Sequence, residues 1–98
     1  MKNIKIRNLS SVVNGRNLID IRDRKEYQKG RIPRSINIPF DILIDKFDKL
    51  LNKRDTYYIV CEASARSIDV ISYLSYYDYD LVLVVGGTEL YDKIYGLR

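Results

Sequence analysis

Histidine and tryptophan are absent from this chain of 98 residues, and cysteine occurs once, at Cys61. The lack of an imidazole excludes most zinc sites and every catalytic scheme that uses histidine as its base. No metal and no cofactor is expected. One cysteine cannot close an intrachain disulfide, so a reducing compartment, the cytoplasm, is the expected location. No long apolar run exists either: the longest aliphatic stretch, Leu81 to Val85, is far too short to span a bilayer. The segment from Met1 to Gly15 lacks the continuous apolar core of a signal peptide. The basic excess (17 Lys+Arg against 13 Asp+Glu) is spread along the chain. With no nucleic-acid-binding motif beside it, that excess suits small anions rather than a polynucleotide.

What the chain does contain is a regular alternation of short apolar runs and helical patterns. Its length fits one domain, residues 1–98. Strands are expected at Ile4 to Ile6, Leu18 to Ile21, Ser35 to Ile38, Tyr57 to Val60 and Leu81 to Val85. Between them, Arg24 to Lys29 reads as a short helix ended by Gly30 in a left-handed cap. Asp41 is expected to cap a helix carrying Leu43, Phe47, Leu50 and Leu51. Ile68, Ile71 and Leu74 mark another amphipathic helix, and Thr88 caps a last one with Leu90, Tyr91 and Ile94. Tyr73, Tyr76, Tyr77 and Tyr79 are expected to serve core and rim packing. Apolar strands alternating with helices predict an α/β fold: a three-layer domain with a small, mainly parallel sheet flanked by helices on both faces.

Cys61 stands where the fourth strand ends and a helix begins. Ligands of open α/β sheets bind beyond the carboxyl ends of strands. A tight strand-to-helix loop leaves backbone N–H groups without partners at the positive end of the helix. Ala63, Ser64 and Ala65 are small enough to let that backbone approach a bound anion, and Arg66 adds a fixed positive charge. The same field favours the thiolate, the nucleophilic form of cysteine. The plain alternative is a buried cysteine that only packs.

Several stretches together resemble the rhodanese family. Leu18-Ile19-Asp20-Ile21-Arg22, Glu26-Tyr27 and Gly30-Arg31-Ile32-Pro33 are similar to its apolar strand, Asp-x-Arg, acidic-aromatic pair and Gly-His-Ile-Pro. Ser35 to Pro39 resembles Ala-x-Asn-Ile-Pro. Cys61 to Ser67 resembles the active loop Cys-x-x-Gly-x-Arg-Ser, and Val85-Gly86-Gly87 with Tyr91 resembles Gly-Gly-x-x-x-Trp. The chain departs from the pattern at Arg31 (for His), Arg34 (for Gly), Tyr91 (for Trp) and Ser64 (for Gly). At Ser64 a left-handed backbone would cost about 1 kcal/mol.

The resemblance implies a sulfurtransferase with a rhodanese-like fold. Cys61 would take the outer sulfur of thiosulfate or a low-molecular-weight persulfide, and pass it to cyanide, a thiol or a protein acceptor. Arg66 would steer the donor and stabilise the leaving group, while Glu62, Ala63, Ser64, Ala65 and Ser67 would form the binding loop. Glu62 is expected to face solvent and to weaken attraction of an anionic donor. Asp20 and Arg22 are supporting candidates. Their plainer reading is structural, with Asp20 bonding Arg22 or a backbone amide and Arg22 pairing with Glu26. The rival readings are a persulfide carrier, a rhodanese-like interaction module without turnover, and a cysteine-dependent phosphatase or arsenate reductase of related fold. That last group uses Cys-x5-Arg, one residue longer than the Cys61–Arg66 spacing here.

Overall fold

Branched apolar residues in short runs, each closed by polar or glycine positions, leave little length per strand. In the computed structural model, which describes residues 1–98, they form β1 (Asn3–Ile4), β2 (Leu18–Asp20), β3 (Ile36–Asn37), β4 (Thr56–Val60) and β5 (Asp80–Val84). A 3-10 helix (Ile6–Ser11) follows β1. The remaining crossovers carry α1 (Arg24–Lys29), α2 (Phe40–Leu50) and α3 (Ala65–Ser75), and α4 (Gly87–Tyr95) follows β5. Every strand pair is parallel, in the order β1-β5-β4-β2-β3, so β4 lies at the centre. Parallel pairing needs a crossover between strands, which is why helices cover both faces.

Alternation along the strands sorts side chains between those faces. Ile19, Ile21, Ile59, Cys61, Leu81 and Leu83 meet Leu43 of α2 and Val70, Ile71 and Leu74 of α3. On the other face, Leu18, Val60 and Val84 meet Ile6 and Leu9 of the 3-10 helix and Tyr91 of α4. The expected three layers are therefore present.

Several local expectations change. Gly30 is extended (φ 173°) rather than left-handed. Space is tight there instead, since an added Cβ would lie 3.2 Å from Leu97 Cβ. The helix that Asp41 was expected to cap begins after Pro39, and Asp41 lies within its first turn. A break at Lys46 (φ −127°, ψ 20°) changes the phase of the last turn, leaving Leu50 exposed and Leu51 buried. In α3 the buried stripe is Ser67, Val70, Ile71 and Leu74, with Ile68 outside it. That set has the i, i+3, i+4, i+7 spacing of a helix packed on one side. Gly86, not Thr88, precedes α4.

Ser64 has φ −172°, an extended value, so no left-handed cost falls on it. Arg34 is left-handed instead (φ 69°), at the position where the resembled pattern has glycine. Holding a side chain there costs about 1 kcal/mol. Of the tyrosines, Tyr79 is buried against Phe47, while Tyr73, Tyr76 and Tyr77 form an exposed rim.

Candidate functional site

β4 and β5 are neighbours whose following helices depart to opposite faces of the sheet, α3 to one and α4 to the other. A crevice opens beyond carboxyl strand ends where successive connections diverge in this way. Cys61 and Gly86-Gly87 follow these two strand ends.

The cysteine loop is held from behind by the first turn of α4. Thr88 N–H donates to the Cys61 carbonyl at 2.8 Å, and Glu89 N–H donates to the Glu62 carbonyl at 2.9 Å. Gly86 N–H donates to Ser64 Oγ at 3.2 Å, and the Ser64 hydroxyl itself donates to the Ala63 carbonyl. A Cβ on Gly87 (φ 63°) would overlap the carbonyl oxygens of Cys61 and Glu62 and lie 2.7 Å from that of Ala63. Glycine is thus required at Gly87 for two reasons, backbone conformation and close approach.

This clamp decides where the loop's N–H groups go. In a planar trans peptide the N–H points opposite to the C=O. With the carbonyls of Cys61, Glu62 and Ala63 turned toward α4, the N–H groups of Glu62, Ala63 and Ser64 turn away from it. No N–H from Glu62 through Ser67 donates a hydrogen bond within the protein. These are the unsatisfied donors of the α3 amino terminus.

An open depression of about 250 Å³ lies over the loop, lined by Cys61, Glu62, Ala63, Ala65, Arg66 and Glu89. Cys61 itself is 5% exposed and borders this opening. Arg66 is exposed, and its guanidinium carbon lies 5.5 Å from the centre of the Phe40 ring. That distance allows a cation–π contact, which holds the charge on the α2 side of the opening. Ser67, in the first turn of α3, is fully enclosed, and its hydroxyl has no hydrogen-bond partner in the protein. A thiol bordered by unused N–H donors and one free guanidinium can attack an electrophilic atom and stabilise the added charge.

Asp20 and Arg22 do not join this group. Arg22 Nη2 lies 2.8 Å from Asp20 Oδ2, and Arg22 Nε lies 3.1 Å from both Asp20 oxygens. Arg22 Nη2 also donates to the Gly30 carbonyl at 2.7 Å, and Arg22 N–H donates to Asp20 Oδ1 at 2.9 Å. The pair is buried and ties β2 to the end of α1. The expected Arg22–Glu26 pairing is absent, because Asp20 and the Gly30 carbonyl occupy the guanidinium. Glu62 is exposed, as expected. Phe40, Gly87 and Glu89 border the loop and were not singled out as site residues, since they come from α2 and α4 and no local motif marks them. The only hint was the Gly86-Gly87 pair after an apolar strand. A larger depression of about 460 Å³, toward the amino ends of β2 and β4, includes Asn17, Thr56 and Tyr58 in its lining and holds no nucleophilic thiol.

The profile of the Rhodanese-like domain matches residues 5–93. The chain belongs to this family. YtwF of Bacillus subtilis (strain 168), provisionally named a sulfurtransferase, is 33% identical over 70 residues, which cover 71% of this chain and 67% of that one. YrkF of the same organism, provisionally named a sulfur carrier protein, is 37% identical over 51 residues, covering 52% of this chain but only 27% of YrkF. Among solved structures, the rhodanese-like domain protein of Staphylococcus aureus superposes with a TM-score of 0.86 at 33% identity, covering 100% of this chain and 97% of that one. The rhodanese-like fold expected from the motifs is the fold observed.

Proposed function

We propose that the protein is a sulfurtransferase that carries sulfur as a persulfide on Cys61. The observation that supports this reading most directly is the setting of Cys61. It borders a small depression beside loop N–H groups that no protein acceptor uses. Membership in the rhodanese-like family and two relatives named for sulfur transfer or carriage point the same way.

In the first half-reaction the Cys61 thiolate attacks the outer sulfur of the donor. With thiosulfate, the S–S bond breaks, sulfite leaves with the bonding pair, and Cys61 becomes a persulfide anion. With a persulfide R–S–SH, the S–S bond breaks, the thiolate R–S⁻ leaves with the bonding pair, and the proton stays on the transferred sulfur. In the second half-reaction an acceptor thiol or cyanide attacks that sulfur, and the Cys61 thiolate departs. The N–H groups of Glu62 to Ser67 stabilise the persulfide, and Arg66 stabilises the departing anion. With no second cysteine in the chain, the persulfide has no internal thiol to divert it into a disulfide. A reducing cytoplasm suits this chemistry.

The test is intact-protein mass after treatment with thiosulfate and with glutathione persulfide. The wild type should gain one sulfur atom, removable by cyanide, and Cys61→Ser should gain none. An adduct that persists in Cys61→Ser, or a wild type that gains no sulfur from either donor, overturns the reading.

A further inference from the structure

The opening over Cys61 carries more negative charge than positive. Its lining contains two carboxylates, Glu62 and Glu89, and one guanidinium, Arg66. Both carboxylates are exposed, and neither forms a salt bridge; the ion pairs in the structure are Lys2–Asp80 and Arg22–Asp20. Glu89 sits in the first turn of α4, where a carboxylate commonly folds back onto the capping N–H. Here that N–H, from Gly86, is already bonded to Ser64 Oγ, and the Glu89 side chain makes no cap. The backbone bond from Glu89 N–H to the Glu62 carbonyl, 2.9 Å, roots the two carboxylates at adjacent points. Arg66 is kept to the other side by Phe40.

We infer that Glu62 and Glu89 are specificity-determining residues that select a sulfur donor bearing an ammonium group, a small aminothiol persulfide, over dianionic thiosulfate. The inference rests on the sulfurtransferase reading of Cys61 and extends it to the donor. A dianion entering the opening meets two unpaired carboxylates within the range over which charges act at ordinary salt, about 10 Å. An ammonium carried beside the sulfane sulfur meets two favourable partners instead. The transfer step is that of any persulfide donor: the Cys61–S bond forms, the donor S–S bond breaks, and the aminothiol leaves as a thiolate whose charge Arg66 offsets.

Two synthetic donors with similar short chains separate the effect from reactivity: cysteamine persulfide, which carries an ammonium, and 3-mercaptopropionate persulfide, which carries a carboxylate. Loading of Cys61 is followed by intact mass over time at low ionic strength. The wild type should load from the ammonium donor about tenfold faster than from the carboxylate donor. In Glu62→Gln/Glu89→Gln the ratio should fall toward one, and loading from thiosulfate should rise by about tenfold. Glu89→Gln alone should give an intermediate ratio, and added salt should compress all of these differences. A ratio unchanged by the double substitution, or a wild type that prefers the carboxylate donor, overturns the inference and leaves the sulfurtransferase reading intact. A wild type that acquires no sulfur from any donor overturns both.

Discussion

Two charged regions of this protein use the same residue types to opposite ends. In the Asp20–Arg22 pair the carboxylate and guanidinium are both enclosed. The carboxylate takes three side-chain contacts and one backbone N–H, and a spare guanidinium N–H goes to the Gly30 carbonyl. Around Cys61, Arg66, Glu62 and Glu89 stand exposed without a salt bridge, and the loop N–H groups lack acceptors. A group whose capacity is filled inside the protein has nothing left for a ligand. The difference separates a charge that holds the fold from one available to a substrate.

The sharpest break of this contrast is Arg22→Ala. It leaves an enclosed Asp20 carboxylate without its partner, and loss of one member of a buried pair costs about 3–5 kcal/mol. Urea unfolding should show that loss in the midpoint. Sulfur loading per folded molecule should change little, because the pair forms no hydrogen bond with the cysteine loop. If loading fell in proportion with stability retained, Arg22 would belong to the site rather than to the scaffold.

Gly87→Ala strikes the joint between the two kinds of region. The added methyl meets three loop carbonyls and forces a side chain into a left-handed backbone. A cost of about 1–3 kcal/mol is expected. Unlike Arg22→Ala, this substitution should also slow sulfur loading of the folded protein, since the carbonyls it displaces set the direction of the loop N–H groups. The measurement is again a pair, unfolding midpoint and loading rate, and a stability loss with normal loading would show that the clamp does not orient the cradle.

Ser67→Ala probes an unsatisfied group. The enclosed hydroxyl has no protein partner, so removing it relieves a buried polar group and should leave stability unchanged or raise it by up to about 1 kcal/mol. If the hydroxyl is available to the sulfur on Cys61, loading should slow at the same time. Stability and activity then move in opposite directions, which neither of the previous two substitutions produces. A variant that loses about 1 kcal/mol would show that the hydroxyl has a structural partner in solution.

The sequence made much of this layout readable, and the limits have physical causes. Strand positions were legible because runs such as Tyr57 to Val60 and Leu81 to Val85 are apolar on successive residues, the mark of strands covered on both faces. The Cys61 loop was legible because small residues and an arginine follow a strand end directly. The buried stripe of α3 was misplaced by its first member: Ile68 is as apolar as Ile71, and only packing shows that Ser67 and Val70 face inward. Of the two partners expected for Arg22, Asp20 holds it and Glu26 does not, because Asp20 and the Gly30 carbonyl fill the guanidinium. Glu89 and Gly87 could not be assigned to the loop from local pattern. Their relation to Cys61 depends on β5 lying beside β4, a long-range pairing that no short window of sequence contains.

Lys2 and Asp80 give the smallest effect and test whether enclosure, rather than pairing itself, gives the Asp20–Arg22 pair its weight. Asp80 is bonded by the Lys2 ammonium and by the Thr56 hydroxyl at 2.6 Å, and the first of these is the larger cause that holds its carboxyl below the ordinary range. A carboxyl depressed in the folded state contributes stability above its unfolded pKa, and that contribution is lost as pH falls through the lower folded value. The side chains remain 66% and 35% exposed, so solvent screening limits the pair to about 0.5 kcal/mol or less. Unfolding of wild type and Asp80→Asn should therefore differ slightly near neutral pH, and the difference should shrink as pH drops below about 4. Salt should shrink it as well, but should leave the cost of Arg22→Ala nearly unchanged. A loss for Asp80→Asn that matched the Arg22→Ala cost would remove enclosure as the distinguishing factor between the two pairs.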